Sequence, residues 1–415
     1  MSSGTRGDQF DEKDRSNSTN TNQSKDPTAR LESSTLSDGL AERERILESL
    51  REESSKGELA WSLDNQELLE DFKDDTDEVD LSHSRIRTMR GFEKHFERFK
   101  KSLKKLILRQ NLIQVLSFEP LISKIEDVVG DSEEADDHKG LVSDHKESDR
   151  GSVAQGLISP LELLVGLEEL DLYDNQISKI QGLQNLTSLK SLDLSFNVLR
   201  KIENLESLSS LKTLYLIQNK ITHIESLESL SETLTSLELG SNRIRQISQL
   251  DSLKNLTELW LGKNKISKLE GLSELKNLRS LSIQSNRITE LENLEELINL
   301  EELYISHNGL KTIGDGLTKN KKIKVLDIAA NQIEDLNGIE SLDQLEEFWA
   351  NDNKLTLNSF NAKSDHLSET SKPNLKTIYF ERNPFQSEMG VNYRRKLKLI
   401  CPQIIQIDAT FVKTV

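Results

Sequence analysis

The chain carries a recurring pattern of apolar and polar positions. In Leu256–Ile266, LTELWLGKNKI, apolar residues hold the first, fourth, sixth and last positions, and an asparagine precedes the last by two. The skeleton L-x-x-L-x-L-x-x-N-x-I returns at Leu211–Ile221, Leu278–Ile288 and Leu300–Leu310, with a basic period of 22 residues. In L-x-L the two leucines share one face of a strand and the residue between them points the other way. Each unit therefore predicts one short strand with a buried and an exposed face. The following N-x-I-x-x-I-x-x-L segment must turn the chain and return it, its own apolar residues also pointing inward.

One such unit cannot bury its leucines alone, but a stack of them can. Period and skeleton fall in the leucine-rich-repeat class. The fold expected is an α/β repeat: a solenoid of 22-residue repeats with a parallel concave sheet, a short helical or 3-10 convex side and a C-terminal cap. The repeat asparagine has two donors and an acceptor on a short side chain, suited to backbone groups that a turn leaves unpaired. It stands at Asn111, Asn175, Asn197, Asn219, Asn242, Asn264, Asn286, Asn308, Asn331, Asn353 and Asn383. A structural role is expected for all of them.

Departures from the period mark the domain organisation. Residues 1–77 are rich in Ser, Asn, Asp and Glu and predict a disordered acidic tail, interrupted by amphipathic spacing over Leu36–Leu50. The solenoid is expected over 78–383. It opens with a degenerate capping unit at Val79, VDLSHSRI, with Ser84 in the asparagine position. Leu103–Ile113 is regular, but the next asparagine comes 64 residues after Asn111, which predicts a disordered acidic insertion at about 119–160 that leaves its neighbours stacked. Single residues are added before Asn242 and Asn331, and NAKSDHLSETSK forms an excursion between Asn353 and Asn383. Residues 384–415 predict a C-terminal cap with a helix from Tyr393 to Cys401, Leu397 and Ile400 on its inner side, stopped by Pro402. Cys401 is expected to be a small buried residue.

Charge and composition narrow the function. The net charge of −17 lies outside the repeats: residues 1–77 hold 20 acidic and 10 basic residues and 119–160 hold 11 and 4, leaving 40 of each sign elsewhere. Nucleic acid is a poor partner for such a chain. A single cysteine excludes an internal disulfide framework and points to a reducing compartment, and the polar first thirty residues contain no run suited to a signal peptide or membrane span. The histidines, His83, His95, His138, His145, His223, His307 and His366, show no ligand spacing, and neither a catalytic triad nor a phosphate loop is present. No enzyme activity, metal or cofactor is expected. His138 and His145 lie in the solvated acidic insertion.

Candidate chemistry gathers on the exposed side of the strands. The residue between the paired leucines runs Ile107, Asp171, Asp193, Tyr215, Glu238, Trp260, Ser282, Tyr304, Asp327, Trp349, Tyr379. Two positions earlier stand Lys105, Glu169, Glu258, Glu302 and Glu347, and two later Arg109, Tyr173 and Glu381 among small residues. Two of three tryptophans, four of five tyrosines and nine acidic residues against two basic ones thus share one face. Exposed Trp and Tyr add little to a core and are enriched where proteins grip one another, so the face predicts a binding surface for a basic protein partner.

Lys376-Thr377-Ile378-Tyr379-Phe380 matches the basic-x-[Val/Ile]-x-[Phe/Trp] peptide that docks to type-1 protein phosphatase. Ile378 and Phe380 hold the two buried positions of a repeat, so core packing is expected of them.

The segments LRQNLI, LDLYDNQI, LELGSNRIR, LGKNKISKL, QSNRIT, LYISHNGL, FWANDNKL and ERNPFQ and the ending YRRKLKLICPQIIQIDATFV resemble the leucine-rich-repeat regulatory subunits of type-1 serine/threonine protein phosphatase. The resemblance runs from Val79 to Val412 apart from the insertion and includes exposed residues. It implies a non-catalytic regulator, monomeric on its own, holding the phosphatase catalytic subunit against the concave face, with a further inhibitor or regulatory subunit as a possible third component. A nuclear and cytoplasmic location and roles in mitosis, chromosome segregation and holoenzyme formation are also implied. The family's contact positions correspond to Asp193, Tyr215, Glu238, Trp260, Asp327, Glu347, Trp349 and Tyr379, and Tyr304 lies in the same column. Tyr215 and Trp260 stand where the family commonly has Phe. The alternative is an acidic repeat scaffold or histone-binding protein held through the charged tail.

Overall fold

The computed structural model describes residues 65–118 and 159–412. The expectations for residues 1–64, for an amphipathic Leu36–Leu50 and for residues 119–158 lie outside the described residues.

Each repeat contributes one three-residue strand, and the strands join side by side in chain order. They are β1 (Glu78–Asp80), β2 (Lys105–Ile107), β3 (Glu169–Asp171), β4 (Ser191–Asp193), β5 (Thr213–Tyr215), β6 (Ser236–Glu238), β7 (Glu258–Trp260), β8 (Ser280–Ser282), β9 (Glu302–Tyr304), β10 (Val325–Asp327), β11 (Glu347–Trp349) and β12 (Thr377–Tyr379), all parallel, followed by β13 (Gln406–Ile407) and an antiparallel β14 (Thr410–Phe411). Register follows from the repeat itself, because identical units stack only with equivalent positions paired: Leu237 opposite Leu259, Glu238 opposite Trp260. β2 and β3 pair in the same way, Leu106 opposite Leu170, across the insertion point.

The core is one continuous column. Leu256, Leu259, Leu261, Ile266, Leu269, Leu272 and Leu275 from a single repeat are all buried, and each such side chain stabilises the fold by roughly 1.5–3 kcal/mol relative to exposure.

The asparagines form a ladder. Asn264 Oδ1 accepts from the Ile244 amide (3.0 Å) of the preceding repeat. Its Nδ2 donates to the carbonyls of Leu239 (2.9 Å), Leu261 (3.0 Å) and Gly262 (3.3 Å). Asn111, Asn197 and Asn331 make the same set, and Asn383 makes it without the bond to the carbonyl two residues earlier.

The residue before each ladder asparagine sits in the left-handed backbone region, with φ between 50° and 58° from Gln110 to Arg382, and none of the eleven is glycine. An L-residue is strained there. Ala330 (φ 50°) has no polar side chain to compensate. Ala330→Gly should therefore raise stability by about 0.5–1 kcal/mol, read as a higher midpoint in urea with an unchanged slope.

Two expectations change and two gain detail. Residues 65–77 belong to the fold rather than to a tail. Leu69 is fully buried, Asn65 donates to the carbonyls of Thr88 (2.8 Å) and Arg90 (2.7 Å), and Arg98 donates to those of Leu69 and Phe72. With α1 (Glu93–Phe99) this segment closes the open end of the core over Phe92, Phe96 and Phe99. The convex side, expected to be short helical or 3-10, is built mostly of successive three-residue turns, such as Leu275 N to Leu272 O and Leu278 N to Leu275 O. Two of its 3-10 segments, Glu228–Leu230 and Gly314–Leu317, fall in the two repeats that carry an added residue, which the tighter winding absorbs. The excursion between Asn353 and Asn383 holds α2 (Leu357–Lys363), with a Thr356–Ser359 capping box and Phe360 buried against Phe380 and Phe385, followed by a 3-10 turn over Ser364–Leu367. Finally, Ser282 and Asp327, expected exposed, are 97% buried for a reason given below.

The C-terminal cap is α3 (Pro384–Met389), α4 (Tyr393–Ile400) and the β13–β14 hairpin. Leu397 is buried and Ile400 packs on the core. Burial pushes the Cys401 thiol up to about 12, which keeps it protonated and unreactive. Buried Asp408 accepts from the amides of Phe380 (2.9 Å) and Glu381 (3.1 Å) and pairs with Arg394 (3.4 Å).

Candidate functional site: the outer face of the sheet

Strand alternation sends the middle residue of each L-x-L outward, and Trp260, Tyr304, Trp349 and Tyr379 are half-buried there. Neighbouring strands lie about 4.8 Å apart, so rings two strands apart should be separated by nearly ten. Trp260 and Tyr304 instead have centroids 6.1 Å apart and Tyr304 and Trp349 6.5 Å. The rings lean toward each other over the smaller residue between them, first Ser282, then Asp327, and this buries both. Tyr379 continues the row, 5.6 Å from Trp349, its hydroxyl accepting from Gln406 (2.7 Å).

Asp327 is thus held beneath the row. Its carboxylate accepts from Gln284 (3.1 Å) and from the Ala329 amide (3.0 Å). Tyr304 donates to Glu302 (3.3 Å), and burial with the nearby Glu302 pushes its phenol up to about 12, so it stays a neutral donor. The indole N–H groups of Trp260 and Trp349 are buried without a hydrogen-bond partner, an arrangement that costs stability.

Toward the N-terminal end the face becomes an acidic hollow of about 450 Å³, lined by Asp171, Asp193, Tyr215 and Glu238 among others. Burial, followed by like charges nearby, pushes the Glu238 carboxyl above the usual carboxylate range. Asp193 is raised first by burial, although its hydrogen bonds to Ser195 oppose this. A carboxyl with a raised folded pKa stabilises the fold while protonated; that contribution is present below the unfolded value, near 4.5 for Glu, and is lost as pH rises through the folded value. Glu238→Gln should therefore melt above the parent chain at pH 7, with the gain disappearing below pH 4. Thermal melts across that range check it.

Glu347 lies partly exposed beside Trp349 on β11. Asp193, Tyr215, Glu238, Trp260, Tyr304, Glu347, Trp349 and Tyr379 accordingly share one surface, with Asp327 beneath it. Ile378 and Phe380 are fully buried, so the docking-peptide match at Lys376–Phe380 is core. The sequence reading missed the rim formed by the left-handed residues before the asparagines. Their signal was the occupant of the position preceding each Asn.

A leucine-rich-repeat family model matches residues 164–264, and a two-copy leucine-rich-repeat model matches 254–296, 276–321 and 298–341. Among solved structures, an internalin of Listeria monocytogenes aligns at a TM-score of 0.53 and 22% identity over 84% of this chain and 89% of its own. The APL1 leucine-rich-repeat domain aligns at 0.53 and 19% over 77% and 71%. The fold is a leucine-rich-repeat solenoid. At these identities the structural likeness concerns fold alone.

Two curated relatives match locally. The chain is 46% identical over 56 residues to protein phosphatase 1 regulatory subunit SDS22 of Schizosaccharomyces pombe, 14% of this chain and 16% of the relative. It is 48% identical over 50 residues to protein phosphatase 1 regulatory subunit 7 of Xenopus tropicalis, 12% of this chain and 14% of the relative. The matched stretches span less than a fifth of those relatives. The resemblance to leucine-rich-repeat phosphatase regulators thus has curated counterparts by name over those stretches.

Proposed function

We propose that this solenoid is a non-catalytic regulatory subunit that binds the catalytic subunit of type-1 serine/threonine protein phosphatase across the outer face of its sheet. The observation that carries the reading is the continuous Trp260–Tyr304–Trp349–Tyr379 row beside an acidic hollow. Rings held in fixed geometry suit anchoring a partner, and the carboxylates select a basic one. The names of the two curated relatives support the phosphatase as that partner. Action in the nucleus and cytoplasm, in mitosis and chromosome segregation, and alongside a further inhibitor or regulatory subunit belongs to the same proposal.

The test is retention of purified catalytic subunit on immobilised full-length chain, with phosphatase assay of the captured enzyme. No retention at micromolar concentration removes the reading. Deleting residues 1–64 should leave retention intact, whereas a scaffold acting through its acidic tail would lose its partner.

A further inference from the structure

The rim of left-handed residues holds one large apolar side chain. Its occupants are otherwise polar, charged or small, among them Gln218, Ser241 and Lys263, but Phe196 stands there at φ 56° with 41% of its surface exposed. A bulky residue in this backbone region is a genuine outlier, and such strain persists where a site uses it. The fold does not ask for Phe at this point, since Ser241 and Ser285 make the same turn.

The surroundings say what the ring is for. Phe196 packs against Tyr173 with centroids 4.8 Å apart and planes tilted by 44°. The Arg109 guanidinium lies 5.0 Å over the Tyr173 ring, pairs with Asp171 and reaches Asp193 at 3.7 Å. One guanidinium is therefore already held between an aromatic face and two carboxylates. The adjoining hollow is lined by four carboxylates, those of Glu169, Asp171, Asp193 and Glu238, against two cations, Lys105 and Arg109. Phe196 extends the aromatic surface from Tyr173 to the rim, where a second planar cation can stack at the edge of that net-negative hollow.

We propose that the Tyr173–Phe196 pair and the acidic hollow beside it form a docking site for an arginine side chain on an extended segment of a partner protein, separate from the Trp260–Tyr379 row. Arginine fits better than lysine, because a flat delocalised cation can stack and hydrogen-bond at once and a compact ammonium cannot. The site deepens the phosphatase reading, because Asp193 and Glu238 belong to the same face, and the peptide test below is read without the phosphatase, so that either can fail alone.

A capped peptide with two arginines and its lysine twin, titrated into the full-length chain at low salt and followed by NMR, test it. The arginine peptide should bind at least five-fold more tightly. Phe196→Ser should abolish that preference, Phe196→Tyr should keep it, and Trp349→Ala should keep it. Since Ser241 and Gln218 occupy equivalent positions, Phe196→Ser should melt no lower than the parent, and Phe196→Gln serves as a second variant. Equal affinity for the two peptides on the parent chain, or a preference unchanged in both Phe196→Ser and Phe196→Gln, overturns the proposal.

Discussion

Replacing Glu347 and Trp349 together by alanine should abolish retention of the type-1 phosphatase catalytic subunit. Trp349 touches both Tyr304 and Tyr379, so its loss removes the middle of the aromatic row as well as its own surface. Buried anchors of this kind cost 2 kcal/mol or more each on truncation. Two of them, about 4 kcal/mol, correspond to a roughly thousand-fold rise in Kd. The folded chain should notice far less. Both residues lie on the outer face, while the β11 core position, Phe348, is untouched. The melting temperature should move by no more than a few degrees, part of it from uncovering Asp327. Binding within a factor of a few of the parent, measured by calorimetry, would remove this part of the face from the interface.

The second large effect is on stability. Asn264→Ala should destabilise the solenoid by about 3–5 kcal/mol, because four hydrogen bonds at a 9%-exposed site vanish at once. The Ile244 amide and the Leu239, Leu261 and Gly262 carbonyls lose this partner, and unmet buried groups cost roughly 1–3 kcal/mol each. A repeat protein depends on its nearest-neighbour interfaces. A defect in the middle of the stack should therefore open the repeats around it before the ends. Hydrogen exchange that accelerates first around residues 239–264 would show this; uniform acceleration from Val79 to Ile407 would contradict it.

Much of this molecule could be read from its spacing. The Leu-x-Leu pairs placed every strand from Val79 to Tyr379, and the Asn position placed the ladder, because both follow from a period that stacking enforces. What escaped the reading depends on contacts between non-equivalent residues. Leu69 carries no repeat signature, yet the open end of the core needs a cover and Leu69 supplies it. Asp327 looks identical to Asp193 in the pattern, but aromatic residues on both adjacent strands cover it, while Asp193 has Tyr215 on one side and Asp171 on the other. The left-handed turns were legible only by asking what backbone the residue before each Asn must adopt.

The close pairing of β2 with β3 has a consequence for how such a chain can change. Phe118 and Ser159 are 41 positions apart in the sequence, yet the strands on either side meet as next-door neighbours. Covalent order and spatial order are uncoupled at that seam. New cargo could be spliced into the chain there, or the chain cut and its ends re-tied, without shifting a ring or carboxylate on the opposite surface.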